Sequence, residues 1–523
     1  MKRKLPLGIQ DFAKIREAGF VYVDKTARIY ELITASAGPV FLSRPRRFGK
    51  SLLCSTLAAL FEGRRELFTG LFIGNSDWQW KKKPVIELDL NPGNYHEGAD
   101  LLNAMLRNNL ETAASKMDLS LRGTVLPEQF MNLIIDAKNR FNARAVILID
   151  EYDKPLLSTI DDAGLYKCLQ NILKGFYGVL KSADEYLEFV LITGVTKFSQ
   201  VSVFSELNNL TDISFNPDYY DLCGITQEEL EINFEPEITG VITEINQNKQ
   251  EYTDKLKHFY NGYRFSEKAA TVYNPYGLLN HFFNKGKFES YWYSTATPAF
   301  LIKLIDEQKI DILDLERKTI TIRDFQRFNV DKMNALPVLY QAGYLTIAGY
   351  NRETETFILD YPNEEVRASF ADSLLEHYIE TGNDEAYAYA RKINASLIQG
   401  NPEDALNALR SVFAAIPYDI HIKQEKYYQT IVYLIFRMFG LNCLSELRTA
   451  DGRIDALVET NKYIYCFEFK LTGTAEEALK QIESKEYLLQ WKSGGKKLFK
   501  IGIDFDFEKR NIGNWRIASG SSA

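Results

Sequence analysis

Between Pro39 and Phe61 the chain reads as a short apolar strand, Val40–Ser43, then a loop, Arg44-Pro45-Arg46-Arg47-Phe48-Gly49-Lys50-Ser51, then an apolar-periodic helix, Ser51–Phe61. A strand that feeds a helix through a tight loop is half of a βαβ unit, and such units build parallel sheets covered on both faces. The loop also carries chemistry. Gly49 lets the backbone approach a phosphate closely, and loop N–H groups with the positive helix end attract an anion. Lys50 is spaced to reach the β- and γ-phosphates of a nucleotide, and Ser51 to ligate Mg²⁺. The GxxxxGK[ST] pattern wants Gly at its first position, where this chain has Arg44. Pro45, Arg46, Arg47 and Phe48 fill the four positions between, which implies a stiffer loop or two arginines adding charge at the nucleotide, and the whole loop from Arg44 to Ser51 is expected to bind the nucleotide.

The same alternation continues to about residue 225. Val85–Leu90, Ala145–Ile149 and Phe189–Thr193 read as buried strands, with a helical pattern at Glu128–Phe141. The strand Ala145–Ile149 runs into Asp150-Glu151. An acidic pair at such a strand end suits Mg²⁺, held through water by Asp150, and an attacking water polarised by Glu151. Thr193 either senses the γ-phosphate or caps a turn. Thr226-Gln-Glu-Glu229 reads as a capping box opening a helical, polar stretch to about Phe283. Leu336–Ala348 resembles a helix end, a turn at Gly343 and a short strand, a small winged-helix-like module. Asp384–Ala415 reads as Ala/Leu-rich helices between domains.

The 523 residues suggest three or so domains. The expected divisions are 1–225 for the core, 226–285 for a helical lid, 286–416 for a mixed middle region and linker, and 417–523 for a C-terminal domain. Five cysteines, Cys54, Cys168, Cys223, Cys443 and Cys466, form no CxxC pair, which speaks for reduced thiols in a cytoplasmic protein. No apolar run is long enough to cross a bilayer; Ile431–Phe436 stops at Arg437. Net charge is −8, yet His421–Ala523 holds 16 Lys+Arg against 13 Asp+Glu. That leaves +3 on the C-terminal part and −11 on the rest, weakly compatible with nucleic-acid contact.

A second constellation lies in that C-terminal part. Asp451-Gly-Arg-Ile-Asp455-Ala-Leu-Val-Glu459 and Tyr463-Ile-Tyr-Cys-Phe-Glu468-Phe-Lys470 read as a hairpin turning at Thr460-Asn-Lys. Alternation puts Glu468 and Lys470 on one face, and in an apolar strand such a pair is costly unless paired or used. Asp455 and Glu468 with a strand carbonyl form a hard oxygen site for Mg²⁺ or Mn²⁺. Lys470 is then placed to orient a water or neutralise charge on a phosphodiester.

Leu5–Ile33, the SRPRRFGKSL loop, VILIDEYD and LITGVTKFSQVSVFSELNNL together resemble the AAA-ATPase-like family, an AAA+-like group of P-loop ATPases common in bacteria. YNGYRFS and VYNPYGLLN extend the likeness to about residue 285. The loop without its first Gly looks like that family's own variant. The D…ExK arrangement resembles the PD-(D/E)xK nuclease superfamily. That resemblance implies an acidic residue from an upstream helix, a place Glu425 fits, and Gln or Lys from a downstream helix, a place Gln481 fits.

The expected fold is therefore α/β: a P-loop parallel sheet with a helical lid, a mixed middle region and a C-terminal α/β nuclease-like domain. The expected function is ATP-regulated, metal-dependent cleavage of DNA. Its rivals are a nucleotide-gated switch that holds nucleic acid without cutting, and an AAA+ motor, possible as a homo-oligomer, with a non-cleaving C-terminal adaptor.

Overall fold

The computed structural model describes residues 3–36, 38–197, 203–204, 207, 209–293, 299–321, 325, 334–379, 384–415, 425–438, 442–449, 452–491, 495–506 and 508–520. Pro417, Asp451 and part of the segment after Lys197 lie outside them. The chain forms two compact units, Met1–Ala296 with Arg317–Asn363, and Thr297–Glu316 with Glu364–Ala523.

The first unit is built on five strands: β1 (Val40–Ser43), β2 (Val85–Asp89), β3 (Ala145–Asp150), β4 (Leu187–Gly194) and β5 (Thr211–Asp212). Their order is β2-β3-β4-β1-β5, and every pairing is parallel. This is the sheet expected from the strand–helix alternation, with ends shifted by a residue or two. Val40–Ser43 and Ala145–Asp150 are buried throughout, as strands covered on both faces must be. Phe41, Ile86, Leu88, Ile147, Ile149 and Ile192 face one core, filled by the helices Ala99–Lys116, Leu126–Phe141 and Ala163–Tyr177. The helix Lys50–Phe61 packs against β2, β3 and β4.

The register aligns the strand ends. Ser43 lies beside Gly194, Ile149 beside Ile192, and Asp89 beside Asp150. In an open parallel sheet the carboxyl ends, where strand order reverses, form the crevice that takes ligands. Here β1 sits between β4 and β5.

Helices Gln227–Asn233, Glu235–Ile245, Lys249–Tyr260 and Pro275–Phe283 form the helical subdomain. It starts with the capping box: Thr226 Oγ1 accepts from the Glu229 amide, and Glu229 accepts from the Thr226 amide. Val21 from the N-terminal segment enters its core with Leu230, Phe234, Tyr252, Leu256 and Phe282. The Lys25–Glu229 ion pair at 2.6 Å joins the same two segments.

Three further strands, β6 (Lys318–Thr321), β7 (Thr346–Asn351) and β8 (Thr356–Asp360), form an antiparallel sheet in the order β6-β8-β7. The helix Ala335–Ala342 lies between β6 and β7 in the chain and ends at Gly343, whose φ of 94° lies in the left-handed region that glycine adopts without strain. A Cβ there would also lie 2.8 Å from the Pro45 ring, so Gly343 permits close approach to the phosphate loop.

The second unit holds a five-stranded mixed sheet, β9 (Asn442–Thr449), β10 (Gly452–Glu459), β11 (Tyr463–Lys470), β12 (Lys497–Asp506) and β13 (Asn511–Gly520), ordered β13-β12-β11-β10-β9. Only β11 and β12 run parallel. The helices Asp384–Gln399 and Pro402–Ala415 pack on it: Tyr465 Oη donates to the Leu397 carbonyl at 2.7 Å, and Arg410 lies over the Trp515 ring at 4.1 Å. Among the described residues no helix is long and apolar enough to cross a membrane.

His281 lies wholly inside the helical subdomain, with Nε2 2.6 Å from Tyr252 Oη and Nδ1 3.1 Å from the Lys287 carbonyl. Burial disfavours the imidazolium and brings its pKa down to about 4. An unfolded His titrates near ~6.5, so below that pH the unfolded chain takes up a proton the fold rejects. This contribution to stability is full above pH ~6.5 and falls as pH drops toward 4, by at most about 3 kcal/mol. Thermal unfolding from pH 7.5 to 4.5 checks it. The expected result is a shallower acid slope for His281→Phe than for the wild-type chain; equal slopes would contradict it.

Candidate active sites

The first site begins at the end of β1. Gly49 takes φ 97° as the helix Lys50–Phe61 starts, a conformation that costs a glycine little. Lys50 is buried, and its Nζ donates to the carbonyls of Arg44 and Pro45, each at 3.1 Å. The same ammonium stands 3.8 Å from Glu151 Oε1. The lysine thus bends the loop around its own charge and faces the acidic strand end.

Asp150, at the end of β3, is buried; the Thr193 hydroxyl donates to its carboxylate, and Ser51 acts on its charge from the start of the loop helix. Burial raises its pKa; the two hydroxyls and Lys50 act the other way. Glu151 follows in the left-handed region at φ 54°, turning the chain sharply. Asp153 closes this turn. It is fully buried and accepts from the Val195 amide at 3.2 Å, the Thr196 amide at 2.7 Å and Thr196 Oγ1 at 2.7 Å. Gly194 makes room: a Cβ there would lie 2.6 Å from the Tyr152 ring and 2.7 Å from Asp153 Oδ1.

A cavity of about 300 Å³ opens above these strand ends. Arg46, Arg47, Gly49, Lys50, Ser51 and Glu151 line it, so the structure brings these expected site residues together. The side chains of the others turn elsewhere. Arg44 is buried with its guanidinium donating to the carbonyls of Ser43 and Ser214, both at 2.9 Å, and of Tyr219 at 3.1 Å, and stacked over Phe265 at 4.1 Å. Its role is to pin the loop, which corrects the reading of its side chain as a nucleotide contact. A first-position glycine is dispensable because this side chain leaves the phosphate face. Pro45 packs against Gly343, and Phe48 packs edge-on against Tyr263 and Phe265. Thr193 is buried on Asp150 and positions that carboxylate. A smaller, apolar cavity of about 100 Å³ adjoins, lined by Val21, Ile29, Phe48, Leu53 and Ile225 among others, and sharing Pro6, Gly49, Leu52, Pro275 and Leu279 with the first.

The second site lies on the C-terminal sheet. Ala456 of β10 pairs with Phe467 of β11, and that register carries Asp455 toward Glu468. Asp455 Oδ2 accepts from the Phe469 amide at 2.8 Å. Glu468 is buried, with Lys470 Nζ 3.4 Å from its Oε1 and the Gln481 amide on the same oxygen. Lys470 Nζ also donates to Gln481 Oε1 at 2.7 Å. Gln481 comes from the helix Ala475–Ser484, whose capping box at Thr474 and Glu477 fixes its start. Gly502 on β12, opposite Glu468, lets that helix down onto the sheet: a Cβ there would lie 2.2 Å from the Ala475 carbonyl oxygen and 2.6 Å from the Leu479 amide. Asp455, Glu468, Lys470 and Gln481 are thus gathered as expected. Glu425 opens the helix Glu425–Met438, and its side chain lies outside the described residues.

Both donor sets suit a divalent cation. Ser51 with Asp150, and Asp455 with Glu468, offer hard oxygens, the preference of Mg²⁺ and Mn²⁺. Among the described residues no group of three His, Cys, Asp or Glu side chains converges.

Residues 6–204 match the family described as "Predicted AAA-ATPase", and residues 423–515 match the "PD-(D/E)XK nuclease superfamily". A relative from Azotobacter chroococcum mcd 1, described as "Uncharacterized protein in vnfD 5'region", is 35% identical over 525 residues, 98% of each chain. The chain belongs to the AAA-ATPase-like family, with a PD-(D/E)XK nuclease superfamily domain at its C-terminal end.

In this AAA-ATPase-like chain, sequence reasoning passed over Asp153, Lys154, Tyr276 and Gly502. Lys154 and Tyr276 line the larger cavity. Asp153 stands in plain view after Asp150-Glu151-Tyr152, yet its partners Val195 and Thr196 are known only once β3 and β4 are paired. In the PD-(D/E)XK domain, Gly502→Ala is expected to cost about 2 kcal/mol by overpacking and to lift Gln481 off Glu468. A lowered unfolding midpoint, with Gly240→Ala, a helical position in open space without positive φ, as the control, checks this. An unchanged midpoint would contradict it.

Proposed function

We propose that the first unit binds and hydrolyses ATP with Mg²⁺, and that the second cleaves DNA phosphodiester bonds in a metal-dependent reaction whose rate follows the nucleotide state. The observation that carries this reading is the gathering of two constellations. Lys50, Ser51, Asp150 and Glu151 meet at one crevice, and Asp455, Glu468, Lys470 and Gln481 at one sheet face.

In the first, the triphosphate occupies the larger cavity and the base the adjoining apolar one. Lys50 exchanges its loop carbonyls for phosphate oxygens, so its charge is preorganised and little must move. Ser51 and Asp150 would hold the metal. Glu151 accepts the hydrogen of the attacking water. In the second, Asp455 and Glu468 would hold the cation, which would lower the pKa of water and stabilise phosphate charge. Lys470, steadied by Gln481, orients the water and faces the developing charge. The coupling rests on the two sites sharing one chain.

Two substitutions test the proposal. Lys50→Ala is expected to lower ATP hydrolysis at least about 100-fold. Lys470→Ala is expected to abolish cleavage of plasmid, linear or single-stranded DNA and of RNA in Mg²⁺ or Mn²⁺ while ATP turnover persists. No cleavage by the wild-type chain on any of these substrates, with ATP still hydrolysed, would favour the nucleotide-gated switch.

A further inference from the structure

Four cations line the larger cavity, Arg46, Arg47, Lys50 and Lys154, against a single carboxylate, Glu151. A phosphate loop needs one lysine; this one carries a surplus. Arg47 is accounted for. It is exposed, holds φ 66°, and lays its guanidinium 4.8 Å from the Tyr276 ring at the start of the helix Pro275–Phe283.

Arg46 has no such use. It is half-buried, and among the described residues no carboxylate lies within ion-pairing distance of it. Its backbone is fixed, because Trp292 Nε1 donates to its carbonyl at 3.0 Å. Its charge is felt by Lys154, whose pKa is lowered by burial first and by Arg46 next. Lys154 lies three residues after Glu151, its amide donating to the Glu151 carbonyl at 3.0 Å, and Arg46 lines the same cavity as both. Glu151 is the group that faces the water attacking a γ-phosphate, and Arg46 shares that cavity with it. An unpaired, half-buried arginine beside a lysine is unfavourable in an empty site and becomes favourable when an anion enters.

We infer that Arg46 is a catalytic residue that contacts the γ-phosphate and acts as an arginine finger supplied by the chain's own phosphate loop, so that hydrolysis needs no neighbouring subunit. This rests on the ATPase reading above. In the step, the water oxygen bonds to the γ-phosphorus while the bond to the β–γ bridging oxygen breaks. ADP keeps that electron pair, the water proton passes to Glu151 and on to solvent, and inorganic phosphate leaves. Arg46 neutralises charge on the γ-oxygens as they separate from ADP.

The test compares the full-length wild-type chain, Arg46→Ala and Lys50→Ala by ADP binding and by phosphate release from ATP. Arg46→Ala is expected to bind ADP within about threefold of wild type and to lose at least about 100-fold in kcat, an arginine finger being worth 10³–10⁵. The wild-type rate per chain is expected to stay constant on dilution from micromolar to nanomolar, and mixing Arg46→Ala with Lys50→Ala is expected to restore nothing. Should Arg46→Ala lose ADP binding, Arg46→Gln replaces it with the same criteria. A kcat within threefold of wild type, a rate that falls on dilution, or recovery in the mixture would overturn the inference while leaving the ATPase reading intact. A wild-type chain that binds no nucleotide would instead overturn that reading, and this inference with it.

Discussion

Asp150 sits where burial alone would disfavour its charge, and the architecture of the first unit is arranged around keeping it there. Its carboxylate accepts from a hydroxyl at the end of β4, Thr193, and Ser51 at the start of the loop helix favours its charge. Lys50 faces the same strand end from the loop, 3.8 Å from Glu151. Three segments distant in sequence are therefore tied through one acid. The parallel register is what permits it, since Ile149 beside Ile192 and Leu42 beside Thr193 bring the three strand ends level. Asp153 repeats the device one turn later, holding Val195 and Thr196 through one buried carboxylate.

The second unit solves a related problem in a different way. Glu468 is buried in a strand that is otherwise apolar, and a charge there is tolerable only with partners at hand. Lys470 lies two residues on, on the same face, and Gln481 descends from a helix to meet both. That helix reaches the sheet only because position 502 has no side chain. A site of this kind is held by close backbone approach as much as by its polar groups.

The legible part of the fold follows from local physics. Strand–helix alternation, the capping box at Thr226 and the Gly343 turn are written in short spans, and each stands where the residues imply. The C-terminal hairpin was legible for the same reason, since alternation fixes which side chains share a face. What could not be read depends on pairing across long separations. Arg44 looked like a cation for a nucleotide; its acceptors at Ser214 and Tyr219 are 170 and 175 residues away. Thr193 offered two readings, and only the β3–β4 pairing brings its hydroxyl to Asp150. Nor could the sequence show that Arg46 stays unpaired beside Lys154, because that is a statement about everything around it.

The central claim is that nucleotide held by the first unit governs chemistry at the second. The most direct measurement is the rate of DNA cleavage as a function of ATP concentration, for the wild-type chain and for Lys50→Ala, at fixed Mg²⁺ and salt. The account predicts a wild-type rate that changes with ATP and saturates, and a Lys50→Ala rate that does not respond. Identical rates for the two chains at every ATP concentration would contradict it, leaving two activities that share a chain and nothing more.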